Sequence, residues 1–135
     1  MTMALRVSHT TFNALDAYQQ SVWWAELLGY HEDPEDPNLP GHEECMISST
    51  DGSHRILFID VPDAKQARNR VHLDLQAVDR PRDEELERVL ALGATLVEDR
   101  RNPDGTDQPV LADPEGNEFC VLRSDEERAA QDPAS

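Results

Sequence analysis

Two histidines in this 135-residue chain, His9 and His72, open two similar stretches, "HTTFN" and "HLDLQ". Imidazole suits iron, nickel, zinc or manganese, and a carboxylate commonly completes such a site. Around His72 the sequence alternates. In "NRVHLDLQAV" (Asn69 to Val78), a strand places Val71, Leu73, Leu75 and Ala77 on one face and Arg70, His72, Asp74 and Gln76 on the other. The first face packs on a helix; the second is too polar for a core and faces water or a cavity. In "NEFCVLR" (Asn117 to Arg123), Phe119 and Val121 take the helix side, leaving Glu118, Cys120 and Leu122 on the cavity side. Such a face could chelate a metal, move a proton through Asp74 or Glu118, or grip a substrate carboxylate or phosphate with Arg70. The plainer alternative makes Arg70 and Asp74 a cross-strand salt pair and each His a hydrogen-bonded structural residue.

These side chains need elements to hold them, and the elements repeat. "LRVSHTTFN" (Leu5 to Asn13) reads as a strand whose Val7, His9, Thr11 and Asn13 share the face opposite Phe12. Asp16 caps a helix, "AYQQSVWWAELLG", that ends at Gly29, with Tyr18, Val22, Ala25 and Leu28 as its buried face. Strands follow near Tyr30, over Glu43 to Thr50 and over His54 to Val61, the last two joined by an Asp-Gly turn. The apolar run of the third strand leaves its facing open. If Leu57, Ile59 and Val61 pack on the helix, Phe58 and Asp60 look into the cavity. The order then starts again: strand Asn69 to Val78, helix Pro81 to Gly93 with the stripe Leu86, Val89 and Leu90, strand Ala94 to Arg100, and a hairpin around "DPEG". Gly29 lies 20 residues after His9, and Gly93 lies 21 after His72. A duplicated unit buries its two sheets against each other. The expected fold is α+β: two βαβββ modules pair into a curved mixed sheet that forms an open cup, with helices outside. The divisions are 1–61, a linker at 62–69, a second module at 70–123, and a disordered polar tail at 124–135.

The net charge of −16 repels nucleic acid and favours cationic ligands. No apolar run is long enough to span a membrane, and the start lacks the basic-then-apolar order of a signal peptide. Two cysteines without a CxxC pair make no disulfide framework, so a cytoplasmic location is expected. Cys45 reads as a small buried residue. Trp23 and Trp24 read as core packing or a dimer contact, since their helix covers the outside of the sheet.

The stretches "SHTTFNALDAYQQSVWWAELLGY", "NRVHLDLQAVD", "LALGATLVED" and "LADPEGNEFCVL" together resemble the vicinal oxygen chelate superfamily, in its glyoxalase and bleomycin-resistance group. The resemblance covers roughly Leu5 to Leu122 and implies the paired modules above. It implies metal ligands from the first and last strands of each module, which sets His9 and His72 at the two first-strand places. The family's Glu on the final strand would fall at Cys120, with Glu118 about 6–7 Å back along the same face. In the first module the matching strand offers only Asp60. Cys120 is then either a thiolate ligand to a soft metal or a small cavity-lining residue. Glu118 either swings in as the third ligand or joins His9 and His72 in a metal-free polar floor. The cofactor is accordingly one divalent ion (Fe, Ni, Zn or Mn) or none.

The function expected on this resemblance is a small-molecule enzyme of lyase, isomerase or dioxygenase type acting on an oxygenated substrate. Glu118 or Asp74 would be the base, and Arg70, Phe58, Cys120 and Gln76 would line the substrate. The alternative is a non-enzymatic protein that binds or sequesters an antibiotic, as bleomycin-resistance proteins do. Expected partners are a small-molecule ligand and a second copy in a homodimer, with neither nucleic acid nor membrane.

Overall fold

The computed structural model describes residues 4–131. The chain divides into two compact units that meet between Ala64 and Lys65, inside the segment read as a linker. The class is α+β with mixed sheets.

In the first unit, β1 (Thr10–Ala14), α1 (Ala17–Leu28), β2 (Glu44–Ser48) and β3 (Arg55–Asp60) form a three-stranded sheet in the order β1-β3-β2. β1 runs parallel to β3, and β2 runs antiparallel to it. The strand expected near Tyr30 is reduced to a single bridge between His31 and Ser48, because the Pro/acid loop that follows cannot continue a ladder. The Asp16 carboxylate accepts from the Gln19 N–H at 3.0 Å and starts α1. Asp60, from the end of β3, accepts from the Ala17 N–H at 2.7 Å. The helix ends at Gly29, whose φ of 70° is left-handed and suits glycine.

Three further expectations for this unit need correcting. The first strand, expected from Leu5, begins only at Thr10, so Val7 and His9 lie ahead of it. The buried face of α1 is Ala17, Gln20, Ser21, Trp24 and Leu27, while Val22 is 45% exposed. Polar Gln20 and Ser21 disguise that face in the sequence. Ser21 satisfies its hydroxyl by donating to the Tyr18 carbonyl at 2.7 Å. Phe58 also faces the helix. It is fully buried, with its ring 5.4 Å from Phe12, which in turn sits edge-on to Trp24 at 5.4 Å. A ladder residue that packs under the helix sends its two neighbours to the other face, so Leu57 and Ile59 are the ones turned away.

In the second unit, β4 (Leu73–Gln76), α2 (Arg82–Ala91), β5 (Thr95–Asp99), β6 (Pro109–Ala112) and β7 (Glu118–Leu122) form a four-stranded sheet in the order β4-β7-β6-β5. β4 is parallel to β7, while β6 is antiparallel to both β7 and β5. The strand around His72 is shorter than expected, and Val71 and Val78 at its margins are 77% and 81% exposed. Leu86 and Val89 of the expected stripe on α2 are buried, Leu90 is instead exposed, and Arg82 joins the buried pair. The Arg82 guanidinium donates to the carbonyls of Asp107 at 2.8 Å and Gly105 at 3.1 Å, so the buried charge is hydrogen-bonded throughout the loop it anchors.

The polar tail is not without structure. Asp125–Gln131 is a helix, α3, opened by a capping box. The Ser124 N–H donates to Glu127 Oε2 at 2.8 Å, and the Glu127 N–H donates to Ser124 Oγ at 3.2 Å. The same Glu127 oxygen accepts from the Arg82 N–H at 2.8 Å, supplying the cap that Pro81 cannot give α2. The last residues of the expected disordered tail, 132–135, lie outside the described residues.

Candidate metal centre

The parallel register of β4 on β7 decides which side chains meet. Leu73 pairs with Phe119, Asp74 with Cys120 and Gln76 with Leu122. Laterally paired residues share a face of the sheet. Phe119 and Val121 are buried on the helix side, so Asp74 and Cys120 share the opposite face. His72, two residues before Asp74, projects there as well. His72 Nε2 lies 3.4 Å from Asp74 Oδ1, and the donor atoms of His72, Asp74 and Cys120 all fall within 4.8 Å of one another. Among the described residues this is the one group of three such ligand types that close.

The three differ in exposure. Cys120 is 5% exposed, whereas the His72 and Asp74 side chains are each 49% exposed. Burial pushes the Cys120 thiol up from its ordinary value, and the charge and hydrogen bond of Asp74 push it further; Arg100 pulls weakly the other way. The Cys120 thiol is placed to donate to Asp74. An ion shared by such donors would need them about 3.3–3.7 Å apart, the edge of a tetrahedral shell of nitrogen, oxygen and sulfur. His72 and Asp74 already meet that spacing, and both side chains are half exposed. The set fits a divalent ion.

The other expected site residues have these surroundings within their own units. Glu118 is on the Cys120 face but is engaged. It accepts from Arg68 Nε at 3.1 Å, from the Asn69 N–H at 3.2 Å and from Lys65 Nζ at 3.4 Å. Partial burial pushes its carboxyl up, but the Asn69 N–H, Arg68 and Lys65 together outweigh it and hold the group below its ordinary value. Such a carboxylate clamps the approach to β4 onto β7 and is a weak base. Gln76 donates to the Arg123 carbonyl at 3.2 Å and to Asp125 Oδ1 at 2.9 Å, tying β4 to the start of α3. Arg70 is exposed ahead of β4. His9 belongs to the first unit, with its Nδ1 3.0 Å from Ser8 Oγ. Phe58 is core, and Asp60 is committed to capping α1.

Arg100 is a residue the sequence reading missed. Simple alternation along "TLVEDR" would group Arg100 with Leu96, whose ladder partner Leu111 is fully buried. A register shift between Leu96 and Glu98 breaks that alternation. Glu98 then pairs with Val110, which pairs with Cys120, so Glu98 and Arg100 rejoin the face of Asp74 and Cys120. Arg100 is held by Glu98 at 3.1 Å. The "DPEG" turn, in contrast, is structural. Asp113 accepts from the N–H groups of Glu115 and Asn117 at 2.9 Å each, and Gly116 takes a φ of 90°.

Residues 9–122 match the family model described as Glyoxalase-like domain. The chain belongs to the glyoxalase-like domain family. That family lies in the vicinal oxygen chelate superfamily. Solved structures share the glyoxalase-like fold at low identity. The fosfomycin resistance protein FosX from Mesorhizobium loti is 19% identical at a TM-score of 0.66, with 95% of this chain and 99% of that chain covered. A FosX variant from Listeria monocytogenes, complexed with Mn(II) and 1S,2S-dihydroxypropylphosphonic acid, is 21% identical at a TM-score of 0.68, covering 94% and 97%. A glyoxalase/bleomycin resistance protein/dioxygenase family enzyme from Burkholderia phytofirmans PsJN is 19% identical at 0.66, covering 87% and 96%. No curated protein matches the chain. No helix among the described residues is long and apolar enough to cross a membrane.

Proposed function

We propose that this glyoxalase-like protein is an enzyme acting on a small oxygenated molecule over the polar face of β4 and β7. The observation that carries this reading is the convergence of His72, Asp74 and Cys120 on that face. A divalent ion held by these residues would polarise substrate oxygens and stabilise negative charge developing on them. One Asp74 oxygen suffices as a ligand, which leaves the other to accept a proton from the substrate. Arg100 and Arg70 offer guanidinium groups to a negatively charged end of the substrate. Glu118 takes no part, because its oxygens are engaged by Lys65, Arg68 and Asn69.

Sequestration of a planar drug is the weaker reading. Phe119 is the sole aromatic residue after Ala64, and it is buried on the helix side. The polar face therefore has no ring from its own unit for a drug to stack on. The reading is tested by turnover on a panel of diols, hydroxyketones, catechols and fosfomycin with added divalent ions. Fosfomycin is included because two of the related structures carry its name. His72→Ala and Asp74→Asn are each expected to lower kcat/KM at least about 100-fold with the circular dichroism spectrum unchanged. Full activity in His72→Ala would move the reacting centre elsewhere.

A further inference from the structure

We infer that the second unit carries, by itself, a thiolate-containing metal site made by His72, Asp74 and Cys120, selective for an ion of the zinc kind over manganese. The inference deepens the proposed function and rests on the same placement of the reacting centre. The resemblance implies something different: one His from each module with a carboxylate, a set of nitrogen and oxygen donors. Three observations and a charge-balance argument support the self-contained set.

The register brings Asp74 and Cys120 side by side, and His72 Nε2 already stands 3.4 Å from Asp74. Glu118, the carboxylate that would make a set free of sulfur, is spent on Lys65, Arg68 and the Asn69 N–H. Cys120 is nearly buried while His72 and Asp74 are half exposed. That gives three ligands on one side and an open side towards solvent, the arrangement of a reactive zinc site. Finally, thiolate and carboxylate together balance a doubly charged ion, with neutral imidazole as the third donor. A thiolate ligand favours zinc-like ions, whereas manganese prefers oxygen-rich sets.

The test uses the full chain without a His tag, stripped of metal and titrated separately with zinc, cobalt and manganese. Calorimetry gives affinity and stoichiometry. Cobalt reports the ligand type, because a cysteine ligand adds a sulfur-to-cobalt charge-transfer absorption in the near ultraviolet. One equivalent of zinc or cobalt is expected, with that absorption, and manganese is expected to bind at least about 100-fold more weakly. Cys120→Ser and Cys120→Ala should both lose the absorption. Each of these, and His72→Ala, should weaken zinc by at least about 100-fold, more than the loss of an outer-shell partner costs. His9→Ala should bind like the wild type. Circular dichroism of each variant separates lost ligation from lost folding, and Cys120→Ser, which keeps the side-chain shape and can still bond Asp74, serves if Cys120→Ala does not fold. Preference for manganese, zinc binding without the charge-transfer band, or equal losses in His9→Ala and His72→Ala would each overturn the site. Zinc bound with the band but no turnover on the panel would leave the site standing and sink the enzymatic reading. Turnover in chelator with a blank zinc titration would do the reverse.

Discussion

Laid side by side from their histidines, the two units share a register and differ in what they do with it. His9 precedes β1 by one residue, and His72 precedes β4 by one residue. Thr10 pairs with Ile56 where Leu73 pairs with Phe119, so Thr11 and Leu57 occupy the places of Asp74 and Cys120. The first unit carries a hydroxyl and an alkyl group where the second carries a carboxylate and a thiol. Its own nearby carboxylate, Asp60, is bonded to the Ala17 N–H. Its aromatic residues Phe12, Trp24 and Phe58 make a dense edge-to-face cluster. The second unit packs Leu111, Phe119 and Val121 beneath its sheet and keeps Asp74 half exposed. One copy of the module invests its side chains in cohesion; the other keeps polar groups unburied on the same lattice of positions.

That contrast can be broken by transplantation. Thr11→Asp with Leu57→Cys rebuilds the second unit's donor set beside His9. Zinc stoichiometry by mass spectrometry should rise from one equivalent to two; a single equivalent would show that matching register is not enough. Cohesion of the first unit is the next test. Phe58→Ala should cost about 3–5 kcal/mol in urea unfolding, because it empties a fully buried ring site. Cys120→Ala should cost clearly less. A Phe58→Ala loss under about 1 kcal/mol would contradict its place in the core.

The two aspartates sharpen the comparison at lower magnitude. Asp60→Ala removes a helix cap and should cost about 1 kcal/mol of stability without touching metal binding. Asp74→Ala should behave conversely, changing zinc affinity with little change in the unfolding midpoint. The smallest effect is that of Glu118. Its carboxyl titrates lower in the folded than in the unfolded chain, so its contribution to stability is complete above the ordinary value of about 4.3 and is lost as pH falls through the folded value. Glu118→Gln should flatten acid unfolding curves in that range, and raised salt should shrink the difference.

Much of this was legible in the sequence. The duplicated order, the alternation around His72 and the cap at Asp16 all rest on local periodicity, which survives into the fold. What was hidden has specific causes. The nearly continuous apolar run of β3 carries no phase, so Phe58 could be set on either face. Gln20 and Ser21 are polar letters at buried positions, and they shifted the apparent face of α1. The register shift between Leu96 and Glu98 moved Arg100 to the donor face, and a shifted ladder leaves no local mark. The engagement of Glu118 depends on Lys65, Arg68 and Asn69, about 50 positions away in the chain, and no spacing rule reaches that far. The "SDEE" capping box was present but read as tail, because its polar composition outweighed its order.

The parallel pairing of β4 with β7 also sets a timetable. Asp74 and Cys120 are 46 residues apart, and α2, β5 and β6 all lie between them. Neighbouring parallel strands require such a crossover, and contacts so distant in sequence are slow to close. During synthesis, the ribosome therefore releases His72 and Asp74 well before the thiol that completes their set. For the proposed site, any metal would therefore be taken up only after β7 has paired, and a chain cut short before β7 would lack the thiol.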